Sequence, residues 1–143
     1  MLIPFDVTHL EGFTPRKEES GMFKTFGDIS ERIETLAQSG EAFSFIKNNK
    51  LIAFGGVYEM WKGNAEVWMI PSPDFSKYQL EACKHLRGLF QKWYGQFRRV
   101  QTTSLHNNLH HRFMTFLGLE REGILRKFGP EGEDFALYSK VGS

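Results

Sequence analysis

Cysteine is almost missing from this chain: one residue, Cys83, in 143. A lone thiol closes no internal disulfide, so nothing here calls for an oxidising compartment. A surplus of either charge is missing too, with 18 Lys plus Arg against 17 Asp plus Glu and a formal net charge of +1. Gripping nucleic acid by phosphate neutralisation needs a basic surplus, so no nucleic-acid partner is expected. The opening Met1 to Asp6 has no basic start and soon meets a carboxylate, unlike a secretory leader. No apolar run approaches the ~20 residues of a membrane span, so no membrane partner is expected. Repeats, low-complexity tracts and linkers are absent as well. What remains is a cytoplasmic single domain over residues 1–143, long enough to bury a core without metal or disulfide staples.

What the chain has in plenty is phenylalanine, 14 residues, with aromatics at 15%. This predicts a heavily aromatic core. A first strand is expected at 2–7, then a polar surface stretch over 14–20. A helix follows over about 28–39. Asp28 and Glu31 have capping-box spacing, Ile29, Ile33, Leu36 and Ala37 share one face, and Gly40 offers a left-handed stop. Strands are expected at 42–47, 51–60 and 65–70, with Asn48-Asn49 suited to a tight hairpin and Pro71 and Pro73 ending the third. The pair Gly55-Gly56 weakens a strand unless a bulge or a close backbone approach requires it.

A long helix is expected over about 75–97, with Phe75, Ala82, Leu86, Leu89, Phe90, Trp93 and Phe97 on its apolar side. Cys83 falls at the edge of that stripe, which makes it a small buried hydrophobe rather than a nucleophile. Residues 98–105 read as a strand. Asn107 or Asn108 then caps a short helix ending at Gly118, with Leu109, Phe113, Phe116 and Leu117 inward. Strands at 119–128 and 134–141 close the chain. The fold class is α/β: a mixed central sheet of about six or seven strands with helices on both faces, helical connections implying parallel neighbours. His106, His110 and His111 invite a metal reading, but His111 points about 100° from His110 on a helical wheel, and no Glu or Cys follows at ligand spacing. No metal is expected.

The segment Asn107-Asn108-Leu-His-His-Arg-Phe-Met-Thr-Phe-Leu-Gly118-Leu119-Glu-Arg-Glu-Gly123 resembles the GNAT superfamily of acyl-CoA-dependent N-acyltransferases. There an Asn opens an aromatic-rich helix followed by Leu-Gly-Phe; here Leu119 replaces the Phe. Ile52-Ala-Phe-Gly-Gly56 and Glu66-Val-Trp-Met-Ile-Pro71 resemble the third and fourth strands of that family. The resemblance implies a GNAT-like fold and acetyl transfer from acetyl-CoA, as co-substrate, to a small amine or a peptide terminus by direct attack on the thioester. It also implies that backbone N–H groups of a splayed fourth strand, at Trp68, Met69 and Ile70, face the thioester carbonyl. A phosphate loop would fall on Ser76, Lys77 and Gln79, and Asn107 would hold the pantetheine arm. Such chemistry needs a base, for which Glu66, or Glu59 at the end of the third strand, is the candidate. The alternative for Glu66 is a solvated strand residue, and for Asn107 a plain helix cap.

Two departures stand out. The family's phosphate loop carries Gly and Gly or Ala where this chain has Gln79 and Glu81, with Asp74 adding repulsion that Lys77 and Lys84 only partly offset. Relatives place a Tyr, which protonates the leaving thiolate, where this chain has Met114. The alternative function is therefore a non-catalytic GNAT-like protein, similar to small phage virion or assembly proteins and partnered by virion proteins. Acceptor pockets in this family come from variable loops, here residues 8–27.

Overall fold

The computed structural model describes residues 1–11, 13–14 and 30–142. Its strands are β1 (Leu2–Pro4), β2 (Ala42–Lys47), β3 (Lys50–Trp61), β4 (Asn64–Pro71), β5 (Arg99–Leu105), β6 (Glu120–Leu125) and β7 (Phe135–Val141). The α-helices among the described residues are α1 (Ser30–Gln38), α2 (Gln79–Gln96) and α3 (Asn108–Phe116), and 3-10 turns cover Val7–Leu10 and Pro73–Lys77. The strands form one mixed sheet of order β1-β2-β3-β4-β5-β7-β6. β4 and β5, joined through α2, pair in parallel over Asn64↔Arg99, Ala65↔Val100 and Glu66↔Gln101. β1–β2, β2–β3, β5–β7 and β6–β7 are antiparallel. The helical connection through α3 does not make β5 and β6 neighbours, because β7 inserts between them.

The chain divides into two compact units, Met1–Tyr58 with Val67–Gln79, and Glu59–Glu66 with Leu80–Ser143. The first has the expected aromatic core. Phe54 is fully buried and stacks on Phe5 at 5.4 Å, with Phe13 at 5.1 Å and Trp68 at 6.0 Å edge-on. Ile33, Phe43, Phe45, Ile52 and Phe75 are also buried in this unit. The hairpin β2–β3 turns on Asn48 and Asn49, at φ of 53° and 60°, a conformation that asparagine tolerates at small cost. The Gly55-Gly56 pair answers to close backbone approach: a Cβ at Gly56 would meet the Glu41 carbonyl at 2.5 Å.

The second unit buries Leu86, Phe90 and Trp93 of α2, Val100 of β5, Phe113, Met114 and Leu117 around α3, and Ala136 and Tyr138 of β7. Gly118, at φ 96°, ends α3 as expected, and the Leu119 N–H reaches back to the Met114 carbonyl at 3.0 Å.

Several boundaries move. β1 stops at Pro4, because the Asp6 side chain caps the 3-10 turn that follows. The helix expected from residue 75 begins at Gln79. Pro73, whose missing N–H costs nothing at a first helical position, starts a separate 3-10 turn that Tyr78 ends. Gly40 is not left-handed. Ser39 closes α1 through its N–H and hydroxyl on the Thr35 carbonyl, and Gly40 is needed because a Cβ there would collide with the Val57 carbonyl. Leu109 is 61% exposed and Phe116 39%, so the buried face of α3 is Phe113, Met114 and Leu117 instead. Phe116 turns outward beneath the Arg87 guanidinium, 5.1 Å from its ring. Asp28, Ile29, the Glu31 side chain and residues 15–27 lie outside the described residues.

Candidate functional site

The residues singled out by the sequence divide between the units. Trp68, Met69, Ile70, Ser76, Lys77 and Gln79 belong to the first, and Glu66 and Asn107 to the second. Glu66 is half-buried and occupies the last register pair of the β4–β5 ladder, opposite Gln101. Glu59 is exposed and spends its carboxylate on the turn, accepting the Gly63 N–H at 3.0 Å. That bond gives one of its two carboxylate oxygens a local structural role.

Trp68, Met69 and Ile70 are half-buried on β4. The backbone at Trp68 passes so close to Gly55 that any side chain there would collide with it. The indole Nε1 of Trp68 is sealed from solvent and has no hydrogen-bond partner. An unmade buried donor is costly, so this nitrogen stands ready for an acceptor.

The segment after β4 decides how well a pyrophosphate would be held. A phosphate cradle needs free backbone N–H groups and small residues that let an anion come near them. Here the Phe75 N–H is committed to the Ser72 carbonyl and the Tyr78 N–H to the Phe75 carbonyl, each at 3.1 Å. No glycine lies between Gly63 and Gly88. Ser76 and Lys77 are exposed, and Gln79 opens α2 half-buried. Asp74 stands in the middle of the segment, paired with Lys50 at 2.7 Å and Lys77 at 3.4 Å. The hydrogen bond from Lys50 holds the Asp74 carboxyl below its ordinary range, so it stays anionic. The residues present do not fit the pyrophosphate of coenzyme A as a glycine-rich cradle would.

Asn107 is the N-cap of α3. Its Oδ1 accepts the His110 N–H at 2.8 Å and lies 2.7 Å from His110 Nδ1. The cap reading of Asn107 therefore holds, with the side-chain oxygen fully used. Met114 is 8% exposed and carries no proton to give. Tyr94, on α2, donates its hydroxyl to the Leu117 carbonyl at 2.7 Å, and burial pushes its ionisation upward. Burial likewise pushes the Cys83 thiol up to about 11, in keeping with an inert core thiol.

Sequence reading missed two side-chain clusters of the second unit. His111 Nδ1 lies 3.0 Å from the hydroxyl of Tyr138, which is fully buried. Arg99 grips Glu122 through both terminal guanidinium nitrogens, at 2.6 and 3.0 Å, and the Ser139 hydroxyl donates to the same carboxylate. Glu122 falls at the register shift between β6 and β7. Alternation in β7 marks Tyr138 as inward, but no local signal places a bulge at Glu122. Among the described residues no three His, Cys, Asp or Glu side chains gather as a metal site. Among them too, no helix is long and apolar enough to cross a membrane.

No protein-family model matches the sequence, and no curated protein does. Solved structures do. A ribosomal-protein-alanine N-acetyltransferase from Brucella melitensis superposes with a TM-score of 0.74 at 10% identity, covering 99% of each chain. A GNAT-family acetyltransferase from Bacillus anthracis gives a TM-score of 0.71 at 15% identity, covering 98% of this chain and 93% of its own. A Bacillus subtilis acetyltransferase solved in complex with CoA gives 0.62 at 9% identity, over 79% of this chain and 84% of its own. At such identities the likeness is one of fold, and the fold of this chain is that of the GNAT acetyltransferases.

Proposed function

We propose that this chain is an N-acyltransferase of GNAT type, moving an acyl group from a thioester to an amine. The observation that carries the reading is the fold match over nearly the whole chain to proteins described as acetyltransferases. The parallel β4–β5 pairing, whose last register pair is Glu66↔Gln101, supports it, since this is where the resemblance puts the reaction. Glu66 is the base that takes the proton of the attacking ammonium, directly or through water. Backbone N–H groups over Trp68–Ile70 polarise the thioester carbonyl. Asn107 contributes through its amide NH2, the only part of that side chain its capping role leaves over. The acceptor is a small amine or a peptide terminus, and the protein acts as one cytoplasmic domain. If the donor is acetyl-CoA, Ser76, Lys77 and Gln79 meet its phosphates only weakly, because Asp74 and the 3-10 turn stand where a cradle would be.

That same turn favours a second reading, a non-catalytic GNAT-like protein such as a phage virion or assembly component, which has no need of a thioester. Calorimetric titration with acetyl-CoA and CoA separates the two. Micromolar binding, weakened in Gln79→Glu by the added charge, supports the transferase and justifies an acceptor screen. No heat at millimolar cofactor overturns it and turns the search to protein partners.

A further inference from the structure

Two α-helices of the second unit lie side by side. The Tyr94 hydroxyl of α2 donates to the Leu117 carbonyl at the end of α3, and the Arg87 guanidinium of α2 covers the Phe116 ring of α3. At about 100° per residue, Leu80, Lys84 and Arg87 fall within about 60° of one another on α2. Leu109, Arg112 and Phe116 do the same on α3. Arg87 and Phe116 each belong to one of these stripes, so their contact makes the stripes the two banks of one seam. All six side chains are exposed, Leu80 at 70% and Leu109 at 61%. The seam thus carries three apolar side chains and three cations, and neither stripe contains a carboxylate. Glu81, the only acid of either helix, falls about 100° round α2 from Leu80. In a chain of net charge +1 this is a local concentration of positive charge.

Such a surface fits an acidic protein that brings apolar contacts of its own. The segment before α2 adds an independent constraint. A thioester donor borne on coenzyme A offers a pyrophosphate to free backbone N–H groups. Here the N–H groups of Phe75 and Tyr78 are already bonded, and Asp74 stays anionic between them. A donor whose pantetheine arm hangs from a carrier protein has a single phosphodiester instead, and draws affinity from contact between the two proteins. It needs no cradle, but it does need a surface for the carrier.

We propose that the acyl donor is a thioester on the phosphopantetheine arm of an acidic carrier protein, docked along the α2–α3 seam. Lys84, Arg87 and Arg112 meet the carrier's carboxylates, and Leu80, Leu109 and Phe116 meet its apolar side chains. The inference rests on the acyltransferase reading and names its donor. In the transfer the amine nitrogen bonds to the acyl carbon as the carbon–sulfur bond breaks. The amine's proton passes to Glu66, and the thiolate stays on the carrier's arm.

Calorimetry at low salt compares three probes: acetyl-CoA, a bacterial acyl carrier protein in its apo form, which has no arm, and the same protein with an acetylated arm. The acetylated carrier is expected to bind about ten-fold tighter than either the apo carrier or acetyl-CoA, because arm and surface then act together. Raising the salt to about 0.5 M should weaken both carrier forms about ten-fold. Arg87→Glu with Arg112→Glu should do the same at low salt and leave acetyl-CoA binding within about two-fold. Melting curves check that the fold survives. Arg112→Glu alone, which spares the Arg87–Phe116 contact, keeps the proposal testable if the double variant does not fold. No carrier binding at about 0.1 mM, equal binding of the apo and acetylated forms, or indifference to the substitutions would overturn it. Acetyl-CoA heat beside any of these leaves the acyltransferase reading standing, so the two failures are told apart.

Discussion

Gly55 and Trp68 meet backbone to backbone: a Cβ added at Gly55 would lie 3.0 Å from Met69 Cα and nearer still to the Trp68 carbonyl oxygen. Neither of those backbone atoms can give way without disturbing β4, the strand that carries Trp68, Met69 and Ile70. Gly55→Ala should therefore destabilise the protein by about 1–3 kcal/mol, the usual cost of overpacking. Gly88 makes the contrast. It lies exposed on α2 with nothing within 4 Å of an added Cβ, so Gly88→Ala should stabilise by up to about 1 kcal/mol through helix propensity. Urea unfolding of the pair checks both signs, and a stable Gly55→Ala would show that the strands can separate freely.

Asn107 acts on stability through its oxygen alone. Asn107→Ala removes the acceptor of the His110 N–H and should cost about 1 kcal/mol. Asn107→Asp keeps the oxygen and should melt close to wild type. If the amide NH2 also holds a thioester ligand, only Asn107→Asp separates the roles: normal stability with weakened ligand binding.

The Arg99–Glu122 pair predicts an acid-sensitive edge to the sheet. The hydrogen bond from Arg99, with a second from Ser139, draws the Glu122 carboxyl from its ordinary 4.5 down to about 2. A carboxyl lowered in the folded state stabilises fully above its unfolded value and loses that stabilisation as pH falls toward the folded one. The window is thus from about pH 4.5 down to about 2. Because the Glu122 side chain is 37% exposed, solvent screening limits the effect to about 0.2–1 kcal/mol. Glu122→Gln should flatten the acid limb of a stability–pH curve in that window and leave the slope near neutrality unchanged. An unaltered acid limb would show the pair to be indifferent.

These features were not equally legible in the sequence. Period-2 and period-3.6 patterns place β2 to β5 and α2 to α3 within a few residues, because each buries its own apolar face locally. Asn48-Asn49 and Gly118 are legible for the same reason, since their backbone conformations suit few other residues. The insertion of β7 between β5 and β6 is not, because strand order depends on pairing between distant segments. The 3-10 turn at Pro73–Lys77 escaped because Phe75, 3% exposed, sits on the apolar stripe whether the backbone there is 3-10 or α. A cavity at the exit of β4 was legible only in part: the loop over residues 8–27 was singled out, but the cavity's other walls come from residues 46–51 and 72–74, which no one segment announces. Glu66 was legible as a candidate only through the resemblance, and its position at the end of the β4–β5 ladder is what geometry adds.

Glu66 and Glu59 offer a test of catalysis that stability alone cannot imitate. Both are carboxylates on adjacent strands, and Glu59 already serves the turn by accepting the Gly63 N–H at 3.0 Å. Glu59→Gln keeps an acceptor oxygen for that N–H and should leave turnover within about two-fold, because a turn bond is worth only ~1 kcal/mol. Glu66→Gln keeps shape and hydrogen bonding but cannot take a proton. With an acceptor found by screening, kcat should fall by about 10²–10⁴-fold, the range general bases contribute. KM for the donor should stay nearly constant. A Glu66→Gln protein that turns over normally would remove Glu66 as the base and leave water or the acceptor's own free amine to do without one.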